Sequence, residues 1–134
     1  MYKRQAFACG IGEQLQNIDF TLNGYFIVLV KPPFGVGTKE AYAGIKPSVP
    51  KKSLLDSIQL SPDNWKNCIV NDFETSVFNL YPEIAEIKTK LLENGAVYTS
   101  MSGSGSSVFG LFKVEPKIAA IDFPADYFIW KDWI

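Results

Sequence analysis

The clearest pattern along the chain is the unbroken apolar run Tyr25-Phe26-Ile27-Val28-Leu29-Val30, entered from the turn pair Asn23-Gly24 and closed by Lys31-Pro32-Pro33. β-Branched and aromatic residues without alternation predict a central strand covered on both faces. Just before it, Gln14-Leu15-Gln16-Asn17-Ile18 alternates polar and apolar, which predicts a half-exposed strand pairing antiparallel with the central one. Phe34-Gly35-Val36-Gly37 reads as a loop, with Thr38 as the N-cap of a short helix through Ala43 that stops at Gly44. Pro47, Pro50 and Pro62 then interrupt the pattern. They leave room for a turn or two of helix over 53–60, where Leu54, Leu55 and Ile58 share a face.

Asn71 with Glu74 three positions on has the form of a capping box, which launches a helix through Phe73, Val77, Phe78 and Leu80. A second helix follows at once. Pro82 and Glu83 suit its first turn, Leu80, Ile84, Ile87 and Leu91 recur at helical spacing, Glu86 and Lys90 form an i,i+4 pair, and Asn94-Gly95 ends it. Residues 96–101 and 108–112 read as strands, 117–121 as a short helical stretch, and 127–130 as a last strand. The order predicts an α+β domain: a mostly antiparallel sheet with helices on one face, ferredoxin-like in topology.

Composition narrows the function classes. A chain of 134 residues fits one domain. A formal net charge of −1 with 20% charged residues gives no electrostatic footprint for nucleic acid, so no DNA or RNA partner is expected. The longest apolar run is far short of the roughly 20 residues that span a bilayer, and no signal-peptide core follows Lys3 and Arg4, so the expected location is cytoplasmic with no membrane partner. Cys9 and Cys68 are read as two buried thiols in a reducing compartment. The chain contains no histidine, which removes the commonest general base and metal ligand and every Ser-His or Cys-His nucleophile. Lys39, Lys51 and Lys52 are read as solvated, and Asp72 and Glu74 as carboxylates at a helix N-terminus.

The chemistry concentrates in Met101-Ser102-Gly103-Ser104-Gly105-Ser106-Ser107-Val108-Phe109. Small residues between two strands permit strained backbone and let amide N–H groups converge on an anion such as a phosphate. Three generic motifs fail on it. A Walker loop needs Gly-Lys-Ser/Thr at its end, and no lysine occurs before Lys113. A dinucleotide fingerprint needs a third glycine where Val108 stands and must open a helix rather than a strand. A hydrolase elbow needs glycines two residues either side of Ser104, where Ser102 and Ser106 stand. A hairpin with a loose polar loop, or a turn that merely needs positive φ, remains the plain alternative.

The stretch from Thr99 to Phe112 resembles the third, C-terminal signature of the GHMP small-molecule kinases. Gly10-Ile11-Gly12-Glu13, Lys31-Pro32-Pro33 through Tyr42, Asn71-Asp72-Phe73-Glu74 and Tyr81-Pro82-Glu83-Ile84 are similar, in order, to a branch of that family acting on a cytidyl-diphosphate alcohol in isoprenoid biosynthesis. The resemblance runs from about residue 10 to the end. It implies an ATP-dependent kinase whose Pro-x-x-x-Gly-Leu-Gly-Gly-Gly-Ser-Ser loop and catalytic Lys and Asp lie in an N-terminal half. No such stretch occurs here, so no catalytic residue and no metal ligand is assigned, and ATP with Mg is expected to bind only through that other half. It also implies that Gly103, Ser104, Gly105 and Ser106 support the nucleotide phosphates. Thr38 and Tyr42, an i,i+4 pair, would face the cytidyl substrate, although an N-cap role for Thr38 and core packing for Tyr42 stay open. Residues 1–9 are expected to be a non-native or truncated start and residues 10–134 the C-terminal domain. By itself this domain would be inert and would expose an apolar docking face. The competing expectation is a free-standing ferredoxin-like module that binds an effector or a partner protein and catalyses nothing.

Overall fold

The structure, a computed structural model, describes residues 6–46, 48–49 and 52–134; the expectations on Met1 to Gln5, Pro47, Pro50 and Lys51 lie outside them. Among the described residues, strands β1 (Ala6–Cys9) and β2 (Gln14–Asn17) form a hairpin, and β3 (Phe26–Lys31), β4 (Tyr98–Met101), β5 (Val108–Phe112) and β6 (Phe128–Trp133) form a second sheet. The helices are α1 (Thr38–Ala43), α2 (Leu54–Ile58), α3 (Phe73–Leu80) and α4 (Pro82–Glu93), with 3₁₀ turns over 62–67 and 118–120. The larger sheet is antiparallel throughout, in the order β4-β5-β3-β6. That is the split β-α-β-β-α-β arrangement of a ferredoxin-like fold, with the second crossover reduced to the 3₁₀ turn at 118–120.

β3 sits at the centre because its side chains satisfy both faces. Phe26, Val28 and Val30 point into a core closed by Ala41 of α1, Val77 of α3 and Ile84, Ile87 and Leu91 of α4. A smaller cluster on the opposite face joins Trp65 to Tyr98 and Leu111, with Phe20, Ile27 and Phe109 packed against it. The long helices therefore share one face, and the 3₁₀ turn at 62–67 adds a partial cover to the other. At the edge strand β6, Phe128 and Trp130 are exposed.

The expected pairing of residues 14–18 with the central strand does not occur: β2 pairs with β1, Cys9 opposite Gln14, because β3 already has β5 and β6 on its two sides. A hairpin four residues across also costs little closure entropy. Leu15 consequently lies exposed, and so does Cys9, which corrects the expectation of two buried thiols. The boundary expected after residue 9 falls inside this hairpin.

α4 ends as its sequence indicates. Gly95 takes a φ of 97°, and the Ala96 and Gly95 amides bond to the Leu91 and Leu92 carbonyls, a Schellman motif. Leu80 does not join the buried stripe, since it closes α3 with its side chain exposed. Lys90 donates to the Asp122 carbonyl and lies over the Phe123 ring, in place of the expected pairing with Glu86.

Candidate functional site: the loop between β4 and β5 and its cleft

The turn from β4 to β5 carries the glycine-serine run. Gly103 (φ 56°) and Gly105 (φ 96°) both take left-handed backbone, which explains their glycines. The Ser102 amide donates to the Ser107 carbonyl at 2.8 Å and the Gly105 amide to the Ser102 carbonyl at 3.0 Å, closing the turn. The amides of Gly103 and Ser104 donate to no group among the described residues. A Cβ on Gly103 would meet nothing within 4 Å, whereas one on Gly105 would lie 3.1 Å from Met101 Sδ and 3.2 Å from Val36 Cγ2. Gly105 is thus fixed by packing and Gly103 borders open space. Ser104 is half-buried, while Ser106 is 2% exposed and donates its hydroxyl to the Phe34 carbonyl at 2.6 Å. Ser106 anchors the loop from beneath instead of offering its side chain outward.

Two residues read from the sequence as a capping box hold the other flank. Asn71 Oδ1 accepts the Phe73 amide at 3.0 Å, an Asx turn ahead of α3. Its Nδ2 reaches across to the Met101 carbonyl at 2.7 Å and the Gly103 carbonyl at 2.8 Å. Glu74 does not return to Asn71. One carboxylate oxygen accepts the Met101 amide at 2.8 Å and the Ser100 hydroxyl at 3.3 Å, and the other pairs with Lys88 Nζ of α4 at 2.5 Å. The sequence marked both residues as polar positions at a helix start, but their partners on β4 and its loop lie 26 to 32 positions further along.

Gly103 and Asn71 border an open cleft of about 640 Å³, whose walls include Ile69, Phe73, Tyr98 and Ser100. Tyr98 donates its hydroxyl to the Ile69 carbonyl at 3.0 Å, and burial pushes its pKa above the ordinary tyrosine value of 10.0, with the Glu74 charge acting in the same direction. A raised folded-state pKa means that this contribution to stability is complete below pH 10 and lost as pH rises through the folded value. Tyr98→Phe should therefore flatten the alkaline limb of the stability profile, measured by urea unfolding between about pH 9 and pH 11; an unchanged limb would count against it.

α1 stands beside this cleft because small residues let it approach α3. A Cβ on Gly44 would lie 2.3 Å from Ser76 Cβ, and Ser76 donates to the Ala41 carbonyl at 3.3 Å. Tyr81 donates to Glu40 at 2.8 Å and fixes the helix from the other side. Thr38 is the first residue of α1 with Gly37 as its N-cap, and it makes no side-chain cap, which corrects the N-cap expectation. Tyr42 is 63% exposed, so core packing does not account for it, and its ring meets the Phe73 wall of the cleft edge-on at 4.9 Å. The contacts of Ser106 with Phe34 and of Gly105 with Val36 tie the loop to the segment leading into α1. The two groups of residues singled out in the sequence thus lie on adjoining segments. Among the described residues no group of three His, Cys, Asp or Glu side chains could hold a metal ion, and no helix is long and apolar enough to cross a membrane.

The family profile for the C-terminal region of GHMP kinases matches residues 46–123, which include α3, α4 and the whole of the loop. The chain belongs to the GHMP kinase family. Over 124 residues it is 51% identical to the 4-diphosphocytidyl-2-C-methyl-D-erythritol kinase of Bacteroides fragilis, covering 92% of this chain and 45% of that protein. The kinase of the same name from Parabacteroides distasonis is 46% identical over 125 residues, covering 93% and 46%. A crystal structure of 4-(cytidine 5'-diphospho)-2C-methyl-D-erythritol kinase superposes with a TM-score of 0.61 at 28% identity, over 79% of this chain and 40% of that one. Homoserine kinase from Cytophaga hutchinsonii shares the fold at a TM-score of 0.58 and 18% identity, over 90% and 45%. This GHMP kinase chain spans less than half the length of these relatives.

Proposed function

We propose that residues 10–134 form the substrate-side C-terminal domain of an ATP-dependent kinase that phosphorylates the 2-hydroxyl of 4-diphosphocytidyl-2-C-methyl-D-erythritol, on the route to isoprenoid precursors. The reading rests chiefly on one observation: Gly103 lines a cleft, and its amide and that of the adjacent Ser104 have no acceptor among the described residues, on a loop tied to the segment that carries Thr38 and Tyr42. Two adjacent amide donors, the first on a residue without a Cβ, suit a nucleotide phosphate. Bound ATP supplies the phosphoryl group. Gly103 and Ser104 hold that nucleotide's phosphates by backbone N–H, and Gly105 and Ser106 keep the loop in shape. Thr38 offers a hydroxyl and Tyr42 an aromatic face to the cytosine. Mg, the glycine-rich ATP cradle and the catalytic Lys and Asp belong to an N-terminal half, the domain's obligate partner, because phosphoryl transfer depends on positioning and charge neutralisation that this half-site does not provide. The reaction is one of the cytoplasm.

A chimera that joins residues 10–134 behind the N-terminal portion of the Bacteroides fragilis kinase should convert the cytidyl alcohol with ATP, while residues 10–134 alone should not. A folded chimera without turnover would refute the reading. In the chimera, Gly103→Ala should raise the ATP KM about fivefold, since a Cβ at φ 56° costs about 1 kcal/mol of backbone strain and crowds the phosphate side without touching the protein. Thermal unfolding should move by only a few degrees. Gly105→Val is the wrong probe, because it collides with Val36 and Met101 and will lower stability as well.

A further inference from the structure

We infer that Asn71 is a positioning residue that aims the amide donors of the Gly103 loop, and that this, more than capping α3, is what its side-chain amide does. The inference rests on the kinase reading only for its catalytic consequence. Both hydrogens of Nδ2 are spent on loop carbonyls, those of Met101 at 2.7 Å and Gly103 at 2.8 Å. In a trans peptide the C=O of one residue and the N–H of the next point in opposite directions. Holding the Gly103 carbonyl against Asn71 therefore turns the Ser104 N–H away from Asn71, and Ser104 N–H has no acceptor among the described residues. The second carbonyl, Met101, is the last residue of β4, so one side chain fixes both the exit of the strand and the apex of the turn. Ser106, through Phe34, pins the far side. Glycine makes Gly103 free to take φ 56°, and freedom without a tether would leave the donor direction undefined. The tether comes from residue 71.

Asn71→Asp separates this role from capping. The substitution is isosteric and keeps an oxygen for the Phe73 amide, and aspartate caps helices as well as asparagine does. Against the two carbonyls, however, it exchanges a two-hydrogen donor for a charged acceptor, and two carbonyls facing a carboxylate repel. Hydrogen exchange on the 134-residue chain should show the Ser102 and Gly105 amides opening at least about fivefold faster in Asn71→Asp. The Val28 and Val30 amides of β3 serve as the control for global stability and should keep their rates. Asn71→Ala should loosen the loop less than Asn71→Asp, because it removes the donors without adding repulsion. In the chimera, Asn71→Asp should raise the ATP KM several-fold and leave the KM for the cytidyl alcohol unchanged. Wild-type exchange at Ser102 and Gly105 in Asn71→Asp would overturn the inference whatever the chimera does. Faster loop exchange with no change in ATP KM would uphold Asn71 as the loop's tether and remove the phosphate role from the kinase reading instead.

Discussion

Replacing Glu74 with alanine should destabilise the domain by about 3 kcal/mol, because one carboxylate accepts the Met101 amide, pairs with Lys88 and shares the Ser100 hydroxyl with the Met101 carbonyl. The side chain of Glu74 is 15% exposed and that of Lys88 27%, so the ion pair is shielded but not sealed from water, and its own share is the smaller part. The larger part is the Met101 amide, which belongs to a residue with only 2% exposure and would be left without an acceptor. For a chain of this length such a loss corresponds to a fall of about 10 °C in Tm. Glu74→Gln keeps an oxygen for the Met101 amide and the Ser100 hydroxyl while giving up the charge opposite Lys88. It should cost only about 1 kcal/mol. Thermal and urea unfolding of the three proteins distinguish these shares. If alanine and glutamine cost the same, the brace is a charge pair and the hydrogen bond to β4 contributes nothing.

The sheet, its long helices and the turn that carries the chemistry were legible because each follows from a local rule. The apolar run at 25–30 could only be a buried strand, the spacing of Ile84, Ile87 and Leu91 could only be one helix face, and Asn94-Gly95 could only stop it. Residues 14–17 show where local rules end. Their alternation is genuine strand chemistry, yet alternation names no partner, and the partner turned out to be residues 6–9, whose own signal is weak. The same limit applies to the 3₁₀ turn at 62–67. Its Trp65 covers the second face of the sheet, but Pro62 and a polar surround disguise it as loop. At the site, the residue types were visible in the sequence and their division of labour was not. Asn71 and Glu74 have the spacing of a capping box, and half of that expectation survives in the bond from the Phe73 amide to Asn71 Oδ1. What spacing cannot reveal is that Glu74 turns to a strand 27 positions away. Gly103 and Gly105 likewise look equivalent in the sequence, and only the neighbouring Val36 and Met101 make one a packing glycine and the other an open one.

Tyr42→Ala in the chimera should raise the KM for the cytidyl alcohol by roughly ten- to a hundredfold, the range expected when an aromatic platform worth about 1 to 3 kcal/mol per stacked base is removed. The ATP KM should not move, because the loop at 103–106 is held by Phe34, Val36, Met101 and Asn71 and by no contact with Tyr42 among the described residues. Little stability is at stake. The ring is mostly exposed, and its edge-on contact with Phe73 accounts for about 1 kcal/mol at most. That contact nevertheless matters for direction: Phe73 begins α3 two residues after Asn71, so the same turn that tethers the phosphate-side loop also props the ring of Tyr42. Tyr42→Phe preserves the ring and the prop and should bind the cytidyl alcohol as the wild type does. An alanine variant with unchanged KM would exclude Tyr42 from substrate binding and leave Thr38 without its partner on α1. A rise in KM for both substrates together would instead mean that α1 shifts as a unit and carries the loop with it through Phe34.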